Sequence, residues 1–214
     1  ELTGIFDKKN NREVIWNADP AYWKRHAPVL FPNVGRYYED HCLIGGKTYA
    51  SGQHGFARDM EFVCTEETEN SVTHLLEATE ETKKIWPYAF QLYITHTLND
   101  RDLTVTWRVV NNDQETMYFT IGGHPAFNVP VIPGTVRADY YLTFSGQKEL
   151  KYHLINPAYG TAIPEETYTL ALEDGKCKID AHMFDKDALI FDEGQITKAG
   201  IALPDGTPYL EMSC

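Results

Sequence analysis

The sequence predicts an all-β protein: a large antiparallel β-sandwich folded as a single domain over residues 1–214. Three observations carry this expectation. Apolar and polar residues alternate with the period of a half-buried strand through the middle of the chain. Turn-forming residues punctuate the whole length, and no stretch sustains a helical periodicity. A length of 214 residues suits one large domain or two small ones. Neither an internal repeat nor a low-complexity linker divides the chain.

The clearest run begins after Tyr88, where Phe90, Leu92 and Ile94 point one way and Gln91, Tyr93 and Thr95 the other. Asn99-Asp100 supplies a turn. A second run sets Leu103, Val105, Trp107 and Val109 inward against Thr104, Thr106 and Arg108 outward, and Asn111-Asn112-Asp113 closes it. In a third run Met117, Phe119 and Ile121 share a face. Connections this short make the three an antiparallel meander, because parallel neighbours need long crossovers. Further short strands are expected at 72–78, 140–144, 167–172, 188–191 and 200–203. Gly45-Gly46, Pro133-Gly134, Asp174-Gly175 and Pro204-Asp205-Gly206 mark turns. One short helix is expected at 20–26, with Asp19 capping its free amides and Pro20 in the first helical position.

Composition narrows the function. Lys and Arg number 19 against 31 Asp and Glu, a net charge of -12, and phosphate backbones attract basic surfaces; nucleic acid is excluded as a partner. The hydrophobic share is 43%, the mean hydropathy is -0.40, and no apolar stretch approaches the roughly 20 residues that span a bilayer; no membrane partner is expected. Cys42, Cys64, Cys177 and Cys214 form no C-x-x-C pair, so neither a zinc knuckle nor a dense disulfide framework is signalled. Reduced thiols in a cytoplasmic protein are expected. An aromatic share of 13% hints at a site for something flat or sugar-like.

Two histidines sit in unusual settings: His54 within Ser51-Gly52-Gln53-His54-Gly55-Phe56-Ala57-Arg58, and His124 within Gly122-Gly123-His124-Pro125-Ala126-Phe127-Asn128. Glycine in or after a strand is usually kept where another backbone or a ligand comes close. Pro125 also restricts His124 to an extended backbone. Taken singly, each is a histidine in a Gly-rich turn; the recurrence points to a site. Neither H-x-H nor H-x-x-x-H occurs, so a metal is not expected. No G-x-S-x-G nucleophile is present either. A histidine acting as general acid or base near neutral pH needs no metal and no cofactor. Arg36, after Pro28-Val29-Leu30-Phe31-Pro32-Asn33-Val34-Gly35, offers a fork of donors suited to vicinal hydroxyls or carboxylates, and is equally a solvated loop arginine. Asp187, opening Asp187-Ala188-Leu189-Ile190-Phe191, could accept from sugar hydroxyls or serve as a turn residue.

Together these segments resemble the aldose 1-epimerase family of the galactose mutarotase-like superfamily, in its bacterial epimerase-related branch. The resemblance runs from Trp16, Asp19-Pro20 and Trp23 through 27–36, 53–62 and 122–128 to 187–191, nearly the whole chain. It implies a large antiparallel β-supersandwich that opens a monosaccharide ring and recloses it on the other face, exchanging α and β anomers without a cofactor. In that chemistry a glutamate takes the anomeric proton and a histidine protonates the ring oxygen. By motif position the resemblance makes His124 the general acid, His54 the second histidine holding the substrate, and Arg36 and Asp187 sugar-binding, with Arg58 an addition. A non-catalytic sugar-binding or regulatory module is the alternative from another class. A hexose-6-phosphate 1-epimerase is the narrower one, and it would need a basic cluster of which only Arg36, Arg58 and Lys24-Arg25 are available.

The family's glutamate comes late, in a segment of Cys-Ile-Glu-Pro-Trp type, and no Glu-Pro-Trp occurs in this sequence. Glu211, in Tyr-Leu-Glu-Met, does not match that context. The expectation is therefore a chain cut at both ends, carrying the acid but not the base, and inactive by itself.

Overall fold

The computed structural model describes residues 1–214. Sixteen strands, every pair antiparallel, stand against one α-helix of six residues. The chain divides into two compact units, Glu1–Leu2 with Arg25–Pro125, and Thr3–Lys24 with Ala126–Cys214.

The first unit is built on a four-stranded sheet in the order Val63–Glu67, Ser71–Glu77, Phe90–Asn99, Asp102–Asn111. The alternation read from the sequence sets its register: Phe90 lies opposite Asn111 and Asn99 opposite Asp102, with the tight turn where Asn99-Asp100 signals it. Phe90, Leu92 and Ile94 are buried and join Phe31, Phe56, Trp86 and Tyr88 in one aromatic core. The Phe31 ring is its hub, 5.2 Å from Trp86 and 5.3 Å from Phe90 between centroids. Val105 and Trp107 lie on the same face as Ile94 and His96 by register, yet each is 37% exposed, because their strand is the sheet edge and the core ends alongside Ile94 and Val109.

One expectation fails in this unit, and one element appears that none covered. The run at 117–121 is not a third meander strand. Asn111 Nδ2 donates to the Glu115 carbonyl and Asp113 accepts the amides of Ala89 and Gln114, and this knot turns the chain away from the sheet. Met117 and Ile121 still pack on the core, but the backbone pairing that follows is between Gly122–Gly123 and Val29–Leu30. The strand that completes the meander is Ser71–Glu77, on the other side of Phe90–Asn99. The helix Glu80–Ile85 was not expected. Thr79 and Thr82 cap it reciprocally, and Lys83 and Lys84 pair with Glu80 and Glu81. Six residues with only Thr82 buried carry no periodic signal.

The second unit holds a four-stranded sheet in the order Lys176–Lys178, Tyr141–Phe144, Lys198–Ala202, Pro208–Ser213, with hairpins of Phe6–Asp7 on Arg12–Glu13 and of Glu149–Tyr152 on Tyr168–Ala171. The strands expected at 140–144, 167–172 and 200–203 are thus present within a residue or two. The strand expected at 188–191 is a single bridge from Ile190 to His153. Positive φ at Asp187 and again at Glu193 and Gly194 confines the extended run between two turns. The helix expected at 20–26 is one turn: the amides of Tyr22 and Trp23 both donate to the Asp19 carbonyl, and Asp19 Oδ1 accepts from Ala21 as its capping role requires. The indole N–H of Trp16 donates to the Trp23 carbonyl at 2.9 Å, taking the acceptor a following turn would use. All four cysteines are free thiols, and no helix is long and apolar enough to cross a membrane.

Candidate functional site

Both histidine segments of the first unit hang on one buried stretch of backbone, Pro28 to Asn33. From one side Gly122 and Gly123 pair with Leu30 and Val29, and the His124 amide then donates to the Pro28 carbonyl at 3.0 Å. A β-carbon on Gly123 would lie 3.2 Å from the Trp107 ring, a close approach that accounts for one glycine before the histidine. From the other side the amides of Phe56 and Ala57 both donate to the Phe31 carbonyl. Gly55 lets the chain pass there at φ +66. The two imidazoles, 70 residues apart in sequence, end with centroids 5.5 Å apart and planes tilted by 54°.

His54 is held by a reciprocal pair with Gly35: its amide donates to the Gly35 carbonyl at 2.8 Å, and the Gly35 amide donates to Nδ1 at 2.9 Å. A nitrogen that accepts carries no proton, so the neutral ring bears its proton on Nε2 and presents that N–H as a donor. Burial, the Arg58 guanidinium and His124 lower the His54 pKa to about 4. Burial and then Arg58 also lower that of His124, although its ring opens onto solvent. Arg58 is itself tied down, Nη2 donating to the Gln53 carbonyl at 2.7 Å, while its neighbour Asp59 is taken up by Arg25 at 2.7 Å. The cluster is therefore rich in donors and its histidines are neutral at pH 7.

That depression fixes a pH dependence. The folded pKa of His54 lies below the unfolded value of 6.5, so the unfolded chain binds more protons between about pH 6.5 and 4. Stability is full above that window and falls as pH drops through it. Thermal unfolding midpoints measured across it should decline less steeply in His54→Asn, whose side chain does not titrate and tolerates the positive φ of 67°. Equal slopes would contradict the assignment.

Within the first unit the structure brings some of the expected site residues together. Arg58 joins the two histidines. Arg36 follows directly on Gly35, but its guanidinium is held by Asp40 in a two-point ion pair, both contacts 2.9 Å. The two line a cavity of about 430 Å³ with Ser51, Gly52 and Phe56, and neither imidazole is part of its wall. Asp187 belongs to the second unit, exposed in a turn where its amide donates to the Phe184 carbonyl. Glu211 lies in the second unit's sheet opposite Gly200, its carboxylate 2.7 Å from Lys198 Nζ. Of the rings nearest the histidines in sequence, Phe56 is buried against Phe31 and Phe90, and Phe127 bridges to Ile15 in the second unit. No three His, Cys, Asp or Glu side chains converge as a metal site would need. Gly35, whose backbone holds His54, and Asn33 and Ser51, which bond to one another and through Asn33 to the Gly35 carbonyl, were missed by sequence reasoning; the one signal was a carboxamide directly after the apolar run 28–32.

The chain is similar to known proteins in sequence and fold. A family model for aldose 1-epimerase matches residues 2–158. Protein LacX of Lactococcus lactis is 33% identical over 198 residues, 90% of this chain and 66% of its own length, so the chain spans just under two thirds of that relative. A galactose mutarotase related enzyme from Lactobacillus acidophilus superposes with a TM-score of 0.88 at 34% identity, covering 95% of this chain and 67% of that one. A galactose mutarotase-like protein from Lactobacillus casei gives 0.82 at 34% identity, covering 96% and 70%. A family match across most of the chain, joined to the two histidine segments it contains, places this protein in the aldose 1-epimerase family.

Proposed function

We propose that this chain serves the interconversion of α and β anomers of a monosaccharide by acid/base-catalysed ring opening, with His124 the proton donor to the ring oxygen and His54 holding the sugar through its Nε2–H. The pairing of the two imidazoles at 5.5 Å carries the reading. It offers one ring locked as a hydrogen-bond donor and a second, exposed ring able to give and regain a proton. Protonating the ring oxygen as the anomeric hydroxyl loses its proton to a base breaks the C1–O5 bond and leaves an open aldehyde. Rotation and reclosure by the same steps in reverse give the other anomer. A lowered pKa at His124 makes its conjugate acid scarcer at pH 7 but stronger, and the gain in acid strength offsets part of the loss in population. Family membership and the relatives' names support the same reading.

Polarimetry on freshly dissolved sugars tests it, using neutral aldohexoses and their 6-phosphates with and without the full-length protein. The expected result is a decay of optical rotation for at least one sugar that exceeds the spontaneous rate in proportion to protein. Sugar binding without any acceleration would replace this reading with a non-catalytic sugar-binding module of the same fold.

A further inference from the structure

We propose that the buried side chain of Asn33 is a positioning residue for His54, acting through Gly35 and held in orientation by Ser51. The inference rests on the reading in which His54 meets the sugar. Asn33 is 2% exposed, directly after a stretch of apolar residues. A carboxamide is costly to bury unless its donors and acceptor are used. Here they are: Nδ2 donates to the Gly35 carbonyl at 3.0 Å and to the Gly52 carbonyl at 3.4 Å, while Oδ1 accepts from Ser51 Oγ at 2.8 Å. Ser51 is 5% exposed.

The two carbonyls belong to the segments on either side of the imidazole. Gly35 is the residue whose amide meets Nδ1 and whose carbonyl meets the His54 amide. Gly52 opens the turn that carries His54, its carbonyl also accepting from the Gly55 amide at 3.2 Å. A β-carbon built on either glycine would meet nothing within 4 Å. Neither glycine has a side chain to anchor it, so the hydrogen bonds to its backbone are what restrain it. Only one amide spans both. Ser51 decides which end of that amide faces them, since a flipped carboxamide would set its oxygen against two carbonyl oxygens and leave Ser51 without an acceptor. Orientation thus passes from Ser51 to Asn33, from Asn33 to the Gly35 carbonyl, and across the Gly35 α-carbon to the N–H that selects the tautomer of His54.

The test is ¹⁵N NMR of the His54 ring at pH 7 in the full-length protein, with steady-state kinetics and thermal unfolding alongside, for Ser51→Ala, Ser51→Thr and Asn33→Asp. In the unaltered protein Nδ1 should resonate as a bare acceptor nitrogen and Nε2 as a protonated one. Asn33→Asp keeps the shape and the acceptor for Ser51 but turns the donor end into a second acceptor facing two carbonyls. The Gly35 carbonyl should then swing away and, through the Gly35 α-carbon, draw its amide off Nδ1; the His54 signals should move toward the average of the two tautomers, and KM should rise about tenfold while kcat stays within about threefold. Ser51→Ala should move the same signals less far, and Ser51→Thr, which restores a hydroxyl, should return them. Unchanged ring signals in Ser51→Ala and in folded Asn33→Asp overturn the proposal, even if the unfolding midpoint drops. Should Asn33→Asp not fold, unchanged signals in Ser51→Ala overturn it alone. The NMR reading needs no turnover, so a protein without epimerase activity would fail the proposed function while this test still stood.

Discussion

Replacing His124 with Asn in the full-length protein should lower the anomerisation rate about a hundred- to ten-thousandfold, the usual worth of a positioned general acid. Asn keeps a hydrogen-bond donor but cannot deliver a proton to the ring oxygen at neutral pH. The fold should be unaffected. The His124 ring is exposed, and what the backbone contributes there, an amide donated to the Pro28 carbonyl, is available to any residue but proline. Loss of rate with an unchanged unfolding midpoint is the expected pairing, read by polarimetry and circular dichroism on the same sample. A variant that turns over at the normal rate would remove His124 from the mechanism.

Gly55→Ala should cost the protein on the order of 3–5 kcal/mol of stability, combining positive-φ strain with the loss of buried hydrogen bonds. The residue sits at φ +66, and a β-carbon there would fall 2.2 Å from the Phe31 carbonyl oxygen and 2.6 Å from the Pro32 nitrogen. The obstacle is backbone, so no side chain can swing clear. Nor can Phe31 retreat, since its ring is fully buried and in contact with Phe56, Trp86, Phe90 and Phe119. Relief has to come from the loop, at the expense of the two amides of Phe56 and Ala57 that share the Phe31 oxygen. Because His54 precedes this residue, its depressed pKa should move back toward the ordinary value. Gly52→Ala, three residues away with open space around its α-carbon, is the internal control and should be close to neutral. Denaturant unfolding of both variants checks the contrast, and equal midpoints would refute the steric argument.

Much of this molecule was legible in one dimension. Alternation at Phe90, Leu92 and Ile94 named the buried face and the register of the longest hairpin, because side chains on a strand repeat every two residues and a one-residue slip would expose all three. Glycines beside His54 and His124 announced close approaches that the structure shows against the Phe31 carbonyl and the Trp107 ring. Motif order along the chain pointed to the family. All of these are local properties: spacing, a missing β-carbon, a restricted dihedral.

Tertiary structure decided what depends on a partner far away in sequence. Whether 117–121 would be a strand turned on which carbonyl the Thr120 amide would meet, and that is Pro32, 88 positions earlier. Nothing in the local pattern distinguishes that bond from a ladder bond. The helix expected at 20–26 stopped after one turn because the Trp16 indole claimed the Trp23 carbonyl. At the site, the donor chemistry of Arg36 was legible in the sequence, while its two-point pairing with the aspartate four residues on was not. Beyond a carboxamide following an apolar run, Asn33, Ser51 and Gly35 had no signature, since a carboxamide and a hydroxyl become positioning groups only when two glycine carbonyls 17 residues apart are brought within reach of one amide. A hydrogen bond has a fixed length and direction, and a sequence can supply its donor without stating where the acceptor will be.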